Sequence, residues 1–150
     1  MTKLFAVGLA GFVALSSSSS AITFPSLTTI YVGAGITDAG LAATSFQCTN
    51  VSGQTASLRI LILDDQAMVL DSTTVPLQHG RGHAISTRNI ALFGNETDMA
   101  TGSVSQGTVN IESTQSGVFC TAMLIDATAS APNGIDIHLV RVNPHPGTVE

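Results

Sequence analysis

Between Leu27 and Val142 the sequence is a succession of eight short strand-like segments, each five to nine residues long and each bounded by residues that turn a chain. They are Leu27–Val32, Ala43–Thr49, Ala56–Leu63, Ala67–Val75, His83–Arg88, Thr108–Glu112, Gly117–Ile125 and Ile135–Val142. Gly, Asn, Asp and Pro gather in the stretches between them, where positive φ or a fixed φ is needed to reverse direction. Ile135, Ile137 and Leu139 alternate with Asp136 and His138, the period of a strand with one buried and one wet face. Leu58–Leu63 and Val118–Ile125 are apolar at both parities, so they are expected to be central strands, covered on both faces or packed at a contact surface. Helical periodicity is weak: Thr37–Thr44 and Asn89–Phe93 have room for a single turn each, too short to stand alone.

The first 21 residues are set apart from this pattern. Lys3 precedes an apolar run from Leu4 to Leu15, then the serines Ser16 to Ser20, then Ala21. A positive start, a short apolar core and small residues at Ser19 and Ala21 are the parts of a secretory signal peptide cleaved after Ala21. A membrane-spanning helix needs roughly 20 apolar residues, more than this run supplies. The expected organisation is a signal peptide over 1–21, a single β domain over 22–143 and a C-terminal tail over 144–150. Localisation is expected to be secreted or periplasmic, with no transmembrane segment.

Composition narrows the function classes. Hydrophobic residues are 44% of the 150, which is too many for a disordered chain, and charged residues are 10%, too few for a coiled coil. After residue 21 there is no Lys, and four Arg stand against ten acids, a net charge of −6. No basic surface exists for a phosphate backbone, so nucleic acid is excluded as a partner.

Cys48 and Cys120 lie inside strand-like segments of a chain bound for an oxidising compartment, and are expected to form a disulfide. Closing so long a loop stabilises the fold by ~4 kcal/mol in the chain-entropy model. Eight short strands with one bridge between an early and a late strand point to an all-β, antiparallel sandwich. In "SFQCTN" around Cys48, "SGVFCTAMLID" around Cys120 and the final "GIDIHLVRV", the chain resembles immunoglobulin-like and fibronectin-like domains of small secreted bacterial proteins. That resemblance implies a β-sandwich of about seven to eight strands with an inter-sheet disulfide. No Trp is present, and Val118 stands where antibody-type domains carry a Tyr.

Catalytic constellations are missing. The G-x-S-x-G elbow does not occur, and bridged cysteines leave no thiolate. Asp64-Asp65 ends the most hydrophobic strand, where neighbouring side chains diverge, and reads as a turn that also guards against aggregation. There is no G-x-G-x-x-G and no P-loop, and no cofactor is expected. The Asn95–Asp98 loop lacks the spacing of a calcium site. Asn50-Val51-Ser52 and Asn95-Glu96-Thr97 match the N-glycosylation pattern.

Histidines offer the remaining chemistry. His79 and His83 flank Gly80-Arg81-Gly82, and a hairpin there would set them across from one another as copper or zinc ligands, with Met68, Met99 and Met123 as further soft donors. The plainer reading is an exposed loop with Gly80 and Gly82 at positive φ. His138 falls in the last segment and His145 in the tail.

The leading expectation is an exported, non-enzymatic binding or surface-assembly module whose contacts lie in Gly33–Gly40 and Gly94–Gly102, with its protein or surface partner unidentified. A homo-oligomer or filament is expected if Ile22 and Phe24 form an arm that adds to a neighbour's sheet; otherwise they begin the first strand of their own sheet. The alternatives are a periplasmic copper or zinc protein using His79 and His83, and a small secreted hydrolase.

Overall fold

The computed structural model describes residues 22–90, 92–129 and 133–142. The expected signal peptide, the tail and His145 lie outside those residues. The chain is all-β, with ten strands in the described residues: β1 Thr23–Ala39, β2 Ala42–Asn50, β3 Ala56–Leu63, β4 Val69–Leu77, β5 Gly82–Ser86, β6 Glu96–Asp98, β7 Val104–Gln115, β8 Val118–Asp126, β9 Gly134–Ile137 and β10 Leu139–Arg141. They form one hydrogen-bonded sheet in the order β4-β3-β7-β1-β2-β5-β6. β8 lies along the other side of β2 and carries β9, while β10 pairs with β1. All pairs are antiparallel except β5 with β6.

The expected seven to eight strands become ten for two local reasons. The final segment is split at His138: β9 pairs with β8, then the chain crosses to pair with β1 as β10. The second reason is β6, a three-residue strand inside the stretch expected to be a loop. No helical turn forms over Thr37–Thr44, which is occupied by the end of β1, its turn and the start of β2, whereas Phe93 N donates to Ile90 O at 3.2 Å within the second stretch.

β1 departs furthest from expectation. It runs through Gly33–Gly40 as far as Ala39, so the proposed contact loop there is strand. Four register shifts in the β1–β7 ladder accompany it, and two of them are single-residue bulges on β1. Thr29 faces Glu112 and Tyr31 faces Ile111, leaving Ile30 as an extra residue, so that Ile30 and Tyr31 are both buried despite being neighbours. Gly35 is likewise extra between Ala34 and Ile36, at φ +82°, where an L side chain would be strained.

One apolar core joins the strands. β3 alternates perfectly, burying Ala56, Leu58, Ile60 and Ile62. These pack in a single cluster with Ile36, Phe46, Ile85, Val109, Ile111 and Val118, drawn from β1, β2, β5, β7 and β8. β3 lies between β4 and β7, and β8 between β2 and β9, so both strands are interior to the sheet as expected, but only one face of each is buried. A second small cluster seats Ile90, Leu92 and Phe93 on Ala43, Met123 and Ile125. Its loop is anchored by Arg88, which pairs with the buried carboxylate of Asp38 and donates to Gly40 O at 2.8 Å. The Thr101 hydroxyl donates to the other Asp38 oxygen at 3.2 Å.

The Cys48–Cys120 disulfide is present. It does not cross between sheets as the resemblance implied. Cys48 of β2 and Cys120 of β8 are opposite one another in the same antiparallel ladder, within a run of nine paired positions from Ala42–Asp126 to Asn50–Val118.

Candidate functional site

The histidine pair is not assembled. β4 pairs with β3 and β5 with β2, so residues 78–81 form a crossover and not a hairpin that would face His79 toward His83. His79 Nδ1 accepts from Gly53 N at 3.0 Å, which makes the ring part of the neighbouring turn. His83 Nε2 lies 2.8 Å from Thr97 Oγ1 across the β5–β6 contact. Gly80 has φ +74°, whereas Gly82 is ordinary strand. Among the described residues no group of three or more His, Cys, Asp or Glu side chains is placed to hold a metal. Met99 is in the core, Met123 is in the second cluster, and Met68 is exposed.

Other candidates resolve as structure. Asn50 is fully buried: its Nδ2 donates to Gln54 O and Leu77 O, both at 2.7 Å, and its Oδ1 accepts from Ser52 N at 2.9 Å. Every polar atom of that side chain is therefore engaged, and the first glycosylation pattern is closed to solvent. Asn95 is exposed. Ile22 and Thr23 lie on their own chain, with Ile22 N donating to Ser116 Oγ at 2.8 Å and Thr23 opposite Gln115.

An exposed apolar cluster lies at the turn joining β3 and β4. Asp64 builds this turn. Its Oδ1 accepts from Gln66 N at 2.9 Å and Met68 N at 2.8 Å, and its own N–H donates to Met68 O at 2.9 Å. Ala67 sits at φ 62° to close it. The expected turn at Asp64-Asp65 is thus present, with Asp64 as its organising side chain.

Beyond this turn β4 does not alternate regularly. Ile62 faces Asp71 and Leu63 faces Val69, so Leu70 is an extra residue on β4. The bulge turns successive side chains outward, and Met68, Val69 and Leu70 are 64%, 59% and 40% exposed. Leu63, opposite Val69, and Leu61 are half-buried on the face of β3 away from the core. These residues make one apolar strip leading to a fixed turn. Three apolar residues in succession, Met68 to Leu70, were the sequence signal for it, since strict alternation would have hidden every second one.

Asp64 and Asp65 lie in the turn itself, and Asp71, opposite the buried Ile62, belongs to the other face of β4. No arginine of the chain reaches them. Arg59 pairs with Glu112 and Arg88 with Asp38, the two ion pairs among the described residues. Arg141 lies over the rings of Phe119 and Tyr31, 4.7 and 5.3 Å from their centres, and donates to Tyr31 Oη at 2.9 Å and Ser116 O at 2.6 Å. Arg81 is in the distant crossover, where its backbone bonds Asn50 and Gln78.

A second apolar opening of ≈ 350 Å³ lies between the β1–β2 turn and β9, lined by Leu41, Ala42, Leu124, Ile125, Asn133 and Ile135 among others. Comparison of the chain with family models, curated proteins and solved structures gives no match.

Proposed function

We propose that the chain is an exported, non-enzymatic β-sandwich domain of the immunoglobulin-like kind, acting as an extracytoplasmic binding or surface-assembly module. The observation that carries this reading is the β3–β4 hairpin, where Met68, Val69 and Leu70 stand in water on a turn held by Asp64, outside a core that is already closed. An apolar strip on a rigid ladder is what a recognition surface requires, because little ordering is left to be done on binding.

Support for the sandwich comes from the way β4, β3, β7 and β1 share one core with β5, β2 and β8. The C-terminal strand passes from β8 to β1 at His138, which ties the two groups together at their margin. The bridge between adjacent strands sets this chain apart from antibody-type domains, whose bridge joins opposite sheets. Export is supported by the disulfide, which persists in oxidising compartments.

Native mass spectrometry of protein recovered from its own secretion medium tests the reading. The expected mass begins at Ile22 and is lighter by two hydrogens for the bridge, in complexes with itself or a partner. Retention of residues 1–21 in the cell would overturn export, and turnover of an ester, peptide or glycoside would overturn the non-enzymatic assignment.

A further inference from the structure

We infer that the free edge of β4 is a strand-pairing surface which the chain holds shut with its own Asp71 and Pro76. This goes beyond the proposed function, since it holds whatever the chain binds. Among the described residues β4 pairs with β3 alone, which leaves one side of a nine-residue strand without a ladder. An edge of that length is a template for another extended chain, and a second copy brings the same edge to pair with it. At the other end of the sheet path the edge strand is β6, whose three residues are too short for such a template.

The neighbouring ladder settles which backbone groups of β4 face outward. Ser57 N donates to Thr114 Oγ1 of β7 at 2.9 Å, so the backbone of Ser57 is turned away from β4. Ser57 and Pro76 are therefore a non-hydrogen-bonded pair, and by alternation so are Arg59 with Thr74 and Leu61 with Ser72. The backbone groups of Ser72, Thr74 and Pro76 consequently point away from β3, whereas those of Asp71, Thr73 and Val75 bond to it.

An incoming strand needs donors as well as acceptors at those outward positions. Pro76 has no N–H to give. Ser72 N already donates to Asp71 Oδ1 at 2.7 Å, so the carboxylate occupies the place a partner's carbonyl would take. Only the N–H of Thr74 remains. Asp71 adds a second obstacle, because it stands opposite the fully buried Ile62 on the core side of β4. A strand laid along this edge would have to desolvate that charge. The extra residue at Leu70 bends the edge just before Asp71, which shortens the straight part that a partner could follow.

The test is amide hydrogen exchange of the secreted chain over a range of concentrations, with sedimentation velocity on the same samples. In the wild type, Ser72 should exchange about tenfold more slowly than Thr74 after correction for sequence, and neither rate should change with concentration. Asp71→Ala should bring Ser72 to the rate of Thr74. Asp71→Asn keeps an acceptor oxygen while losing the charge, and should hold most of the protection. An Asp71→Ala, Pro76→Val variant should form dimers in which the amides at positions 72, 74 and 76 become protected as concentration rises. Equal exchange of Ser72 and Thr74 in the wild type would overturn the inference without any variant having to fold. Wild-type protein that gains protection at Thr74 with concentration would do the same, because its edge would then be open. So would a double variant that keeps native exchange in β3 and β7 yet remains a monomer.

Discussion

Cys48 and Cys120 face one another across the β2–β8 ladder with their Cα atoms 4.1 Å apart, flanked on both sides by residues paired in the same register. That separation is near the value for a directly opposed, non-hydrogen-bonded pair in an antiparallel sheet. The bridge spans 72 positions of sequence, yet it adds a covalent link where strand pairing already holds the two residues together. Its contribution is thus to the unfolded chain more than to the folded one. A Cys48→Ala, Cys120→Ala variant is expected to lose ~4 kcal/mol of unfolding free energy in urea while keeping its far-UV β-sheet signal. Loss of that signal without denaturant would show that the ladder depends on the bridge.

Asn50→Asp is nearly isosteric and should be among the most damaging single changes. The Asn50 amide donates to two buried carbonyls, Gln54 O and Leu77 O. A carboxylate there would aim negative charge at both acceptors and leave them without donors. The expected cost is about 3–5 kcal/mol, read as a lower urea midpoint at unchanged slope. A loss below about 1 kcal/mol would mean that the end of β2 rearranges freely.

Arg88→Met should free the loop that covers the second cluster. Asp38 is 3% exposed, so removing its partner leaves a buried charge with only Thr101 to bond it. A fully buried pair broken in this way costs roughly 3–5 kcal/mol, and the third of the Arg88 side chain that remains wet brings this to about 2–4 kcal/mol. Changing Asp38→Asn as well should recover part of the loss, which a double-mutant cycle would measure. Additive losses would deny the coupling.

Asp126 titrates below its ordinary value of 3.8 because the Thr128 hydroxyl donates to its carboxylate, helped by the backbone N–H groups of Thr128 and Ala129. A depressed folded-state pKa contributes stability above the unfolded value, and that contribution is lost as pH falls through the folded one. Carbon-detected titration should place the Asp126 midpoint below 3.8, and Thr128→Val should return it toward 3.8. A midpoint unmoved by that substitution would assign the shift to another group.

Much of this architecture can be read without coordinates. The segments around β2, β3 and β8 stand out because a half-buried strand carries its own period and its ends need turn residues, a local property of neighbouring side chains. The Asp64 turn belongs to the same class, since the side chain bonds amides only two and four residues away. β1 was less legible. Gly33–Gly40 looks like a loop because of its glycines, and it becomes strand because β7 supplies partners as far as Val104 and bulges at Ile30 and Gly35 absorb the misfit. Gly107 shows the same long-range logic, for a Cβ there would lie 2.9 Å from Val104 Cγ1 and 3.1 Å from Leu63 O.

The sequence by itself determined the all-β class, the disulfide partners and the shortage of cations, because these derive from short-range periodicity, the number of cysteines and a count of charges. Only the tertiary structure decided that the bridge lies within a ladder, that His79 joins the turn at Gly53 while His83 meets Thr97 across β5 and β6, and that Met68, Val69 and Leu70 emerge together. Each of these depends on which strands lie side by side and in what register. A shift of one residue turns a strand's buried face outward, and register is settled by packing distant segments around one core.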